Sequence, residues 1–186
     1  GPKDGAFAGG YEAICEWAPH LDGSFVPIQG PPGTGKTFTG AHMIRALVNA
    51  HMRVGVTAMS HHAIDNLMEA VVERFAEEGD ELRAVRKAKG GSVDGVAYID
   101  DNSRCATGAY DVIAGTSWLF ASQAMRDNPV DVLVVDEAGQ LGLADTLAAS
   151  ISATNVILLG DPQHLPQVAK ASHPNRSGVS ALEHLL

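Results

Sequence analysis

The chain has 186 residues, 45% hydrophobic and 19% charged, with a formal net charge of −9. That is enough apolar material for one buried α/β core, and no apolar run reaches the roughly 18 residues a membrane-spanning helix needs. The acidic balance argues against a stand-alone nucleic-acid binder with a basic face, and the lone thiols Cys15 and Cys105, with no C-x-x-C spacing, predict a reduced cytoplasmic protein without a disulfide or zinc site.

The chain opens Gly1-Pro2-Lys3, with no Met and no basic-then-apolar leader. Gly-Pro is a common remnant of tag cleavage, so residues 1–23 are expected to be a start and lead-in segment of a piece cut from a longer protein. Phe25 to Gln29 reads as the first strand, although Pro27 inside it cannot donate to a sheet ladder.

The stretch that follows carries the strongest chemistry. Gly30-Pro31-Pro32-Gly33-Thr34-Gly35-Lys36-Thr37 fits the G-x-x-x-x-G-K-[ST] phosphate-binding loop. Its glycines let successive backbone N–H groups point at phosphate oxygens, Lys36 reaches the β- and γ-phosphates, and the Thr37 hydroxyl can ligate Mg²⁺. A helix predicted from about Lys36 to His51 adds its positive N-terminal end to the same anion. The chain is therefore expected to bind a nucleoside triphosphate with Mg²⁺.

Arg53 to Thr57 reads as a second strand. Ala63, Ile64, Leu67, Met68, Val71, Val72 and Phe75 then recur at helical spacing and predict an amphipathic helix. Leu82 to Val85 predicts a short strand. Arg83, Arg86, Lys87 and Lys89 form the one basic cluster, read as a solvated helix end and loop. Residues of about 87–110, rich in Gly, Asp, Ser and Asn, predict an insertion or long loop. Strands are expected at Val112–Ala114, Val132–Val135 and Val156–Leu159, and a last helix at Ser180–Leu186. This alternation of short β-rich runs with helices implies an α/β fold with a mostly parallel sheet.

The apolar run 131–135 ends in Asp136-Glu137-Ala138-Gly139-Gln140. Both carboxylates should emerge at the carboxyl edge of the sheet, where open α/β proteins bind ligands. Asp136 can hold Mg²⁺ beside Thr37, and Glu137 can orient and polarise an attacking water.

With GPPGTGKT followed by DEAGQ, the chain resembles the first motor domain of a superfamily 1 helicase. The branch it resembles is the 5′-to-3′ one that contains the nonsense-mediated-decay RNA helicase and its DNA-acting relatives. Thr57-Ala58-Met59-Ser60-His61-His62-Ala63-Ile64-Asp65-Asn66-Leu67 is similar to that family's motif Ia, and Ala114-Gly115-Thr116-Ser117-Trp118 to motif Ic. Gly160-Asp161-Pro162-Gln163-His164-Leu165-Pro166 is similar to motif III. LDGSFVPIQGPPGTGKT, DVLVVDEAGQ and SALEHLL further resemble bacterial proteins in which such a helicase follows a RecB-like nuclease domain.

The resemblance implies a P-loop NTPase of RecA-like fold over residues 24–186, with helices on both faces of the sheet. It implies ATP as the nucleotide and Gln140 as a γ-phosphate contact. It also implies strand-backbone contacts from Ser60, His61, Asn66, Gly115 and Thr116. The partners it implies are single-stranded DNA or RNA, a second RecA-like domain in cis that this chain lacks, and a nuclease domain in cis. On that reading the isolated piece is nearly inactive.

The family's motif III usually ends G-D-x-x-Q. Here His164 holds the fifth position and Gln163 sits one residue early, so either His164 donates the equivalent hydrogen bond to the γ-phosphate, or Gln163 swings in, or the coupling is weakened. Trp118 is open between stacking on a base and anchoring the following helix in the core. His61-His62 has no third ligand at metal-binding spacing. The alternative function is a nucleotide-dependent switch or scaffold that binds ATP without translocating, which the His164 departure and the acidic composition leave open.

Overall fold

Every strand of the sheet runs in the same direction, so every strand delivers its carboxyl end to one edge. The computed structural model describes residues 10–29, 33 and 35–161. Gly30, Pro31, Pro32, Thr34, Gln163, His164 and the helix expected at 180–186 lie outside the described residues. A short helix α1 (Tyr11–Trp17) leads into β1 (Phe25–Gln29), α2 (Lys36–Asn49), β2 (Val54–Thr57) and α3 (His61–Glu78). There follow β3 (Ala84–Lys87), β4 (Val96–Ile99), α4 (Asn102–Cys105), β5 (Val112–Ala114), α5 (Ser117–Phe120) and α6 (Gln123–Asp127). The described chain ends with β6 (Val130–Val135), α7 (Leu143–Ser150) and β7 (Ala153–Gly160). The seven strands are ordered β1-β7-β6-β2-β5-β3-β4, and all their pairings are parallel.

The central strands are apolar on both sides, as a sheet covered on both faces requires. Val132 and Val134 of β6, with Ile157 and Leu159 of β7, pack into one core with Met43, Ile44 and Leu47 of α2 and Ile64, Leu67 and Phe75 of α3. The alternate residues Leu133, Val135, Val156 and Leu158 pack on the other face with Leu119, Phe120, Met125 and Ala149. Period-two alternation thus splits one apolar run between two cores. Gly40 lets α2 approach closely, because a Cβ there would lie 2.9 Å from Leu159 Cδ1 and 3.2 Å from Leu67 Cδ1.

α3 is bounded by local chemistry. Ser60 is its N-cap, with Oγ accepting from the Ala63 N–H at 3.1 Å, and Gly79 ends it in the left-handed region at φ 71°. Pro27 is accommodated because β1 is an edge strand among the described residues, the place in a sheet where a missing N–H is tolerated. At the amino edge, the Arg53 guanidinium donates to the carbonyls of Asn128, Pro129, Ala106 and Thr107 and ties three connections together.

The structure corrects two sequence expectations. The stretch taken as an insertion or long loop over 87–110 contains β4 and the helical turn α4. β4 is four half-exposed residues paired on one side only, and so leaves almost no apolar signature. The basic cluster is not a uniformly solvated one. Arg86 is only 1% exposed, Arg83 is paired with Asp111 and Lys87 with Asp100. Arg86 is buried because it lies on β3 between β4 and β5 instead of in a loop.

Candidate active site at the carboxyl edge of the sheet

Parallel pairing gathers the sequence motifs. The phosphate loop follows β1, and β1 ends level with β7 through the pair Gln29 and Gly160. β6 ends level with β2 through Val135 and Thr57, and β2 runs beside β5 through Val56 and Ala114. Residues far apart in sequence therefore share one edge: Gly33 and Gly35 to Thr37, Thr57 to His61, Gly115 and Thr116, Asp136 to Gln140, and Gly160 with Asp161.

The loop glycines are required by backbone conformation. Gly33 has φ 79° and Gly35 φ 76°, a region that side chains rarely adopt, although a Cβ at Gly33 would meet nothing within 4 Å. Gly35 is the N-cap of α2 and gives no side-chain cap, and the positive end of this 14-residue helix faces the same edge. Lys36 and Thr37 are its first two residues; Lys36 is half-buried and Thr37 exposed.

Asp136 lies immediately past β6 and is 6% exposed. Its N–H donates to the Thr57 carbonyl at 2.8 Å, and its Oδ1 accepts from the Glu137 N–H at 2.8 Å. Burial pushes its pKa up to about 6; the Glu137 N–H opposes this, the Glu137 charge adds to it, and Lys36 opposes it. A buried carboxylate with one N–H donor is electrostatically incomplete, and a divalent cation would complete it. The Thr57 Oγ1 is buried at the same edge with no hydrogen-bond partner among the described residues. A buried carboxylate, the Thr37 hydroxyl at the start of α2, left-handed loop glycines and the positive end of a helix form a donor set that fits a Mg²⁺-triphosphate.

Glu137 is one of two non-glycine residues with positive φ among the described residues, at 49°. The strain comes from a tight turn in which the Gln140 N–H donates to the Glu137 carbonyl at 2.8 Å and the Ala138 N–H donates to the Leu159 carbonyl at 2.9 Å. The turn re-aims the chain just past β6, leaving Glu137 half-buried beside buried Asp136. Strain of this kind, of order 1–3 kcal/mol, concentrates at functional sites.

Along the same edge, Ser60 and His61 start α3, while Asn66 lies further along it and contacts His62 Nε2 at 3.2 Å. The Gly115 N–H is spent on the Val56 carbonyl at 3.0 Å, and a Cβ at Gly115 would fall 2.5 Å from Leu119 Cδ2. Thr116 is the N-cap of α5 but makes no side-chain cap bond. Trp118 is not a core anchor: it is 81% exposed. Leu119 and Phe120 fill the core instead, because a single helical turn has one inward face and Trp118 falls outside it.

Sequence reasoning missed the Arg86 side chain and the left-handed Glu137. An arginine next to Val85 inside an apolar strand pattern was the available signal for the first; nothing local signals the second.

Residues 15–170 match a family model described as an AAA domain. The chain is 26% identical over 157 residues to the DNA replication ATP-dependent helicase/nuclease JHS1 of Arabidopsis thaliana, a match covering 82% of this chain and 12% of that protein. It is 26% identical over 181 residues to the DNA replication ATP-dependent helicase/nuclease DNA2 of Xenopus laevis, covering 86% and 16% respectively. The chain thus spans less than a fifth of the length of these relatives. Its fold is similar to that of the arterivirus nonstructural protein 10 helicase solved with DNA, at TM-score 0.52 and 19% identity over 87% of this chain and 34% of that one. With the loop, the acid pair and the parallel sheet on one edge, the chain belongs to this AAA-domain family and has the α/β P-loop NTPase fold.

Proposed function

We propose that residues 24–186 form the first motor domain of an ATP-driven translocase or helicase that moves along single-stranded DNA or RNA. The observation that carries the reading is the buried Asp136, with its raised pKa, on the same sheet edge as the phosphate loop. In the proposed site, the amides of Gly30 to Thr37 and the Lys36 ammonium hold the phosphates of ATP. Thr37 and Asp136 would hold Mg²⁺, which neutralises phosphate charge when bound. Glu137 accepts the proton of the attacking water, and Gln140, with Gln163 or His164, contacts the γ-phosphate. Ser60, His61, Asn66, Gly115 and Thr116 are the proposed strand contacts, and exposed Trp118 offers a stacking face.

A second RecA-like domain in cis would supply the arginine that phosphoryl transfer uses, worth about 10³–10⁵ in rate, or roughly 4–7 kcal/mol. The 186-residue chain alone should then bind nucleotide weakly and turn it over very slowly. The names of the relatives support a DNA substrate and a nuclease domain elsewhere in a longer protein. Free Cys15 and Cys105 support a reducing, cytoplasmic setting, and no described helix is long and apolar enough to cross a membrane.

The test is ATPase activity of the protein extended through its second motor domain, with and without single-stranded DNA or RNA, beside Glu137→Gln. Strand-stimulated turnover lost in the variant is the expected result. Nucleotide binding without stimulation by either polymer would overturn translocation.

A further inference from the structure

We propose that Arg86 is a positioning residue that holds His61 in the tautomer whose Nε2–H donates to a phosphate oxygen of a bound single strand. The inference rests on the reading that this sheet edge carries the strand.

Arg86 is among the largest fully buried side chains described, and burying a guanidinium is costly unless each of its faces is paired. Three different groups pair it. Its Nε donates to Asp65 Oδ1 at 2.8 Å, one terminal nitrogen donates to the Lys87 carbonyl at 2.9 Å, and the other lies 2.7 Å from His61 Nδ1. A guanidinium has five N–H groups and no acceptor, and it stays charged. The contact with His61 therefore has one polarity: Arg86 donates and Nδ1 accepts. A neutral imidazole that accepts at Nδ1 carries its proton on Nε2.

His61 is the first residue of α3 and is exposed, and its Nε2 has no partner among the described residues. The ring thus offers solvent a donor and no acceptor. A phosphodiester oxygen matches it, and a cation or a hydrogen-bond donor does not. Arg86 also spans two segments of the edge, because β3 pairs with β5 through Arg86 and Ala114, directly before Gly115 and Thr116. The planar fork therefore sets the start of α3 relative to the loop after β5, which the single ammonium of lysine could not do with the same bonds.

The experiment is NMR of the 186-residue chain with nitrogen-labelled histidine, titrated with a short oligothymidylate. The His61 ring should show Nε2 protonated and Nδ1 unprotonated, and Arg86→Met should blur that signature into a tautomer mixture. His61→Ala should weaken strand binding roughly tenfold, the size expected for a hydrogen bond to a charged group. His61→Gln, whose amide reaches the Nε2 position, should restore most of it, and His61→Asn, which reaches only the Nδ1 position, should not. Adding Arg86→Met to His61→Ala should cost little more than His61→Ala alone.

A proton on Nδ1, equal binding by the Gln and Asn variants, or additive losses in the double variant would each overturn the proposal. The Gln and Asn variants leave Arg86 intact and decide the matter even if Arg86→Met fails to fold. Trp118→Ala separates the two levels of inference. If it weakens binding and His61→Ala does not, only the role of Arg86 and His61 falls; if neither does, the edge does not carry the strand.

Discussion

Replacing Asp136 with asparagine should stabilise the metal-free protein, even though it removes a residue placed at the centre of the site. The carboxyl is 6% exposed, and burial raises its pKa from the ordinary 3.8 to about 6. Between those values the folded chain holds a proton that the unfolded chain has lost. Stability due to this group therefore falls as pH rises from about 4 to about 6, and stays lowered above that. A pKa raised by about 2 corresponds to about 3 kcal/mol. Asparagine cannot ionise and keeps an oxygen for the Glu137 N–H, so it escapes that cost.

The advantage of Asp136→Asn should be near zero at about pH 4 and grow to about 3 kcal/mol by about pH 7.5, or roughly 6–12 °C in Tm for a chain of this size. Thermal unfolding of both proteins in chelator across that range is the assay. Asp80, Asp100 and Asp111 run the other way, with pKa values held low by Asn49 and Arg45, by Lys87 and by Arg83 respectively. They are common to both proteins and cancel in the difference. Mg²⁺ with nucleotide should close the gap by stabilising the wild type alone. An asparagine variant no more stable near neutral pH, or a gap that ignores pH, would refute the claim that Asp136 is a buried charge awaiting a cation.

Glu137→Gly should be more stable than Glu137→Ala by about 0.5–1 kcal/mol, the reverse of the usual order, because φ is 49° and only glycine adopts it freely; chemical denaturation of the two variants checks this, and both should lose ATPase. Trp118→Ala should weaken single-strand binding by roughly 1–3 kcal/mol, the worth of one base stack, while leaving Tm nearly unchanged because the ring is 81% exposed; fluorescence anisotropy and a melting curve read the two effects. Gly55→Ala should cost about 1–3 kcal/mol, since its Cβ would lie 2.6 Å from Phe120 Cε1 and 3.0 Å from Leu133 Cδ1; urea unfolding measures the loss.

Chemistry that is local in the chain is legible in the sequence alone. The phosphate loop, the acid pair and every strand but β4 are each written in a continuous stretch. Strands buried on both faces show as apolar runs, and loop glycines show by spacing. The bounds of β5, Val112–Ala114, match the sequence reading to the residue. β4 escapes it, because an edge strand of four half-exposed residues carries no run to detect.

The remaining features depend on neighbours that sequence order does not name. The order β1-β7-β6-β2-β5-β3-β4 arises from long-range pairing, and it alone puts Arg86 beside Ala114 and within reach of His61 and Asp65. The same packing turned Trp118 outward, since Leu119 and Phe120 had already taken the inward face of a single turn. It also bent Glu137 into a left-handed turn secured by the Leu159 carbonyl on the neighbouring strand. By itself the sequence determined which groups are proposed to do chemistry with a triphosphate, because spacing within one loop or strand end suffices to single them out. Which side chains are buried, strained or presented at the shared edge was decided by tertiary structure, because burial and strain belong to contacts between segments and not to any one of them.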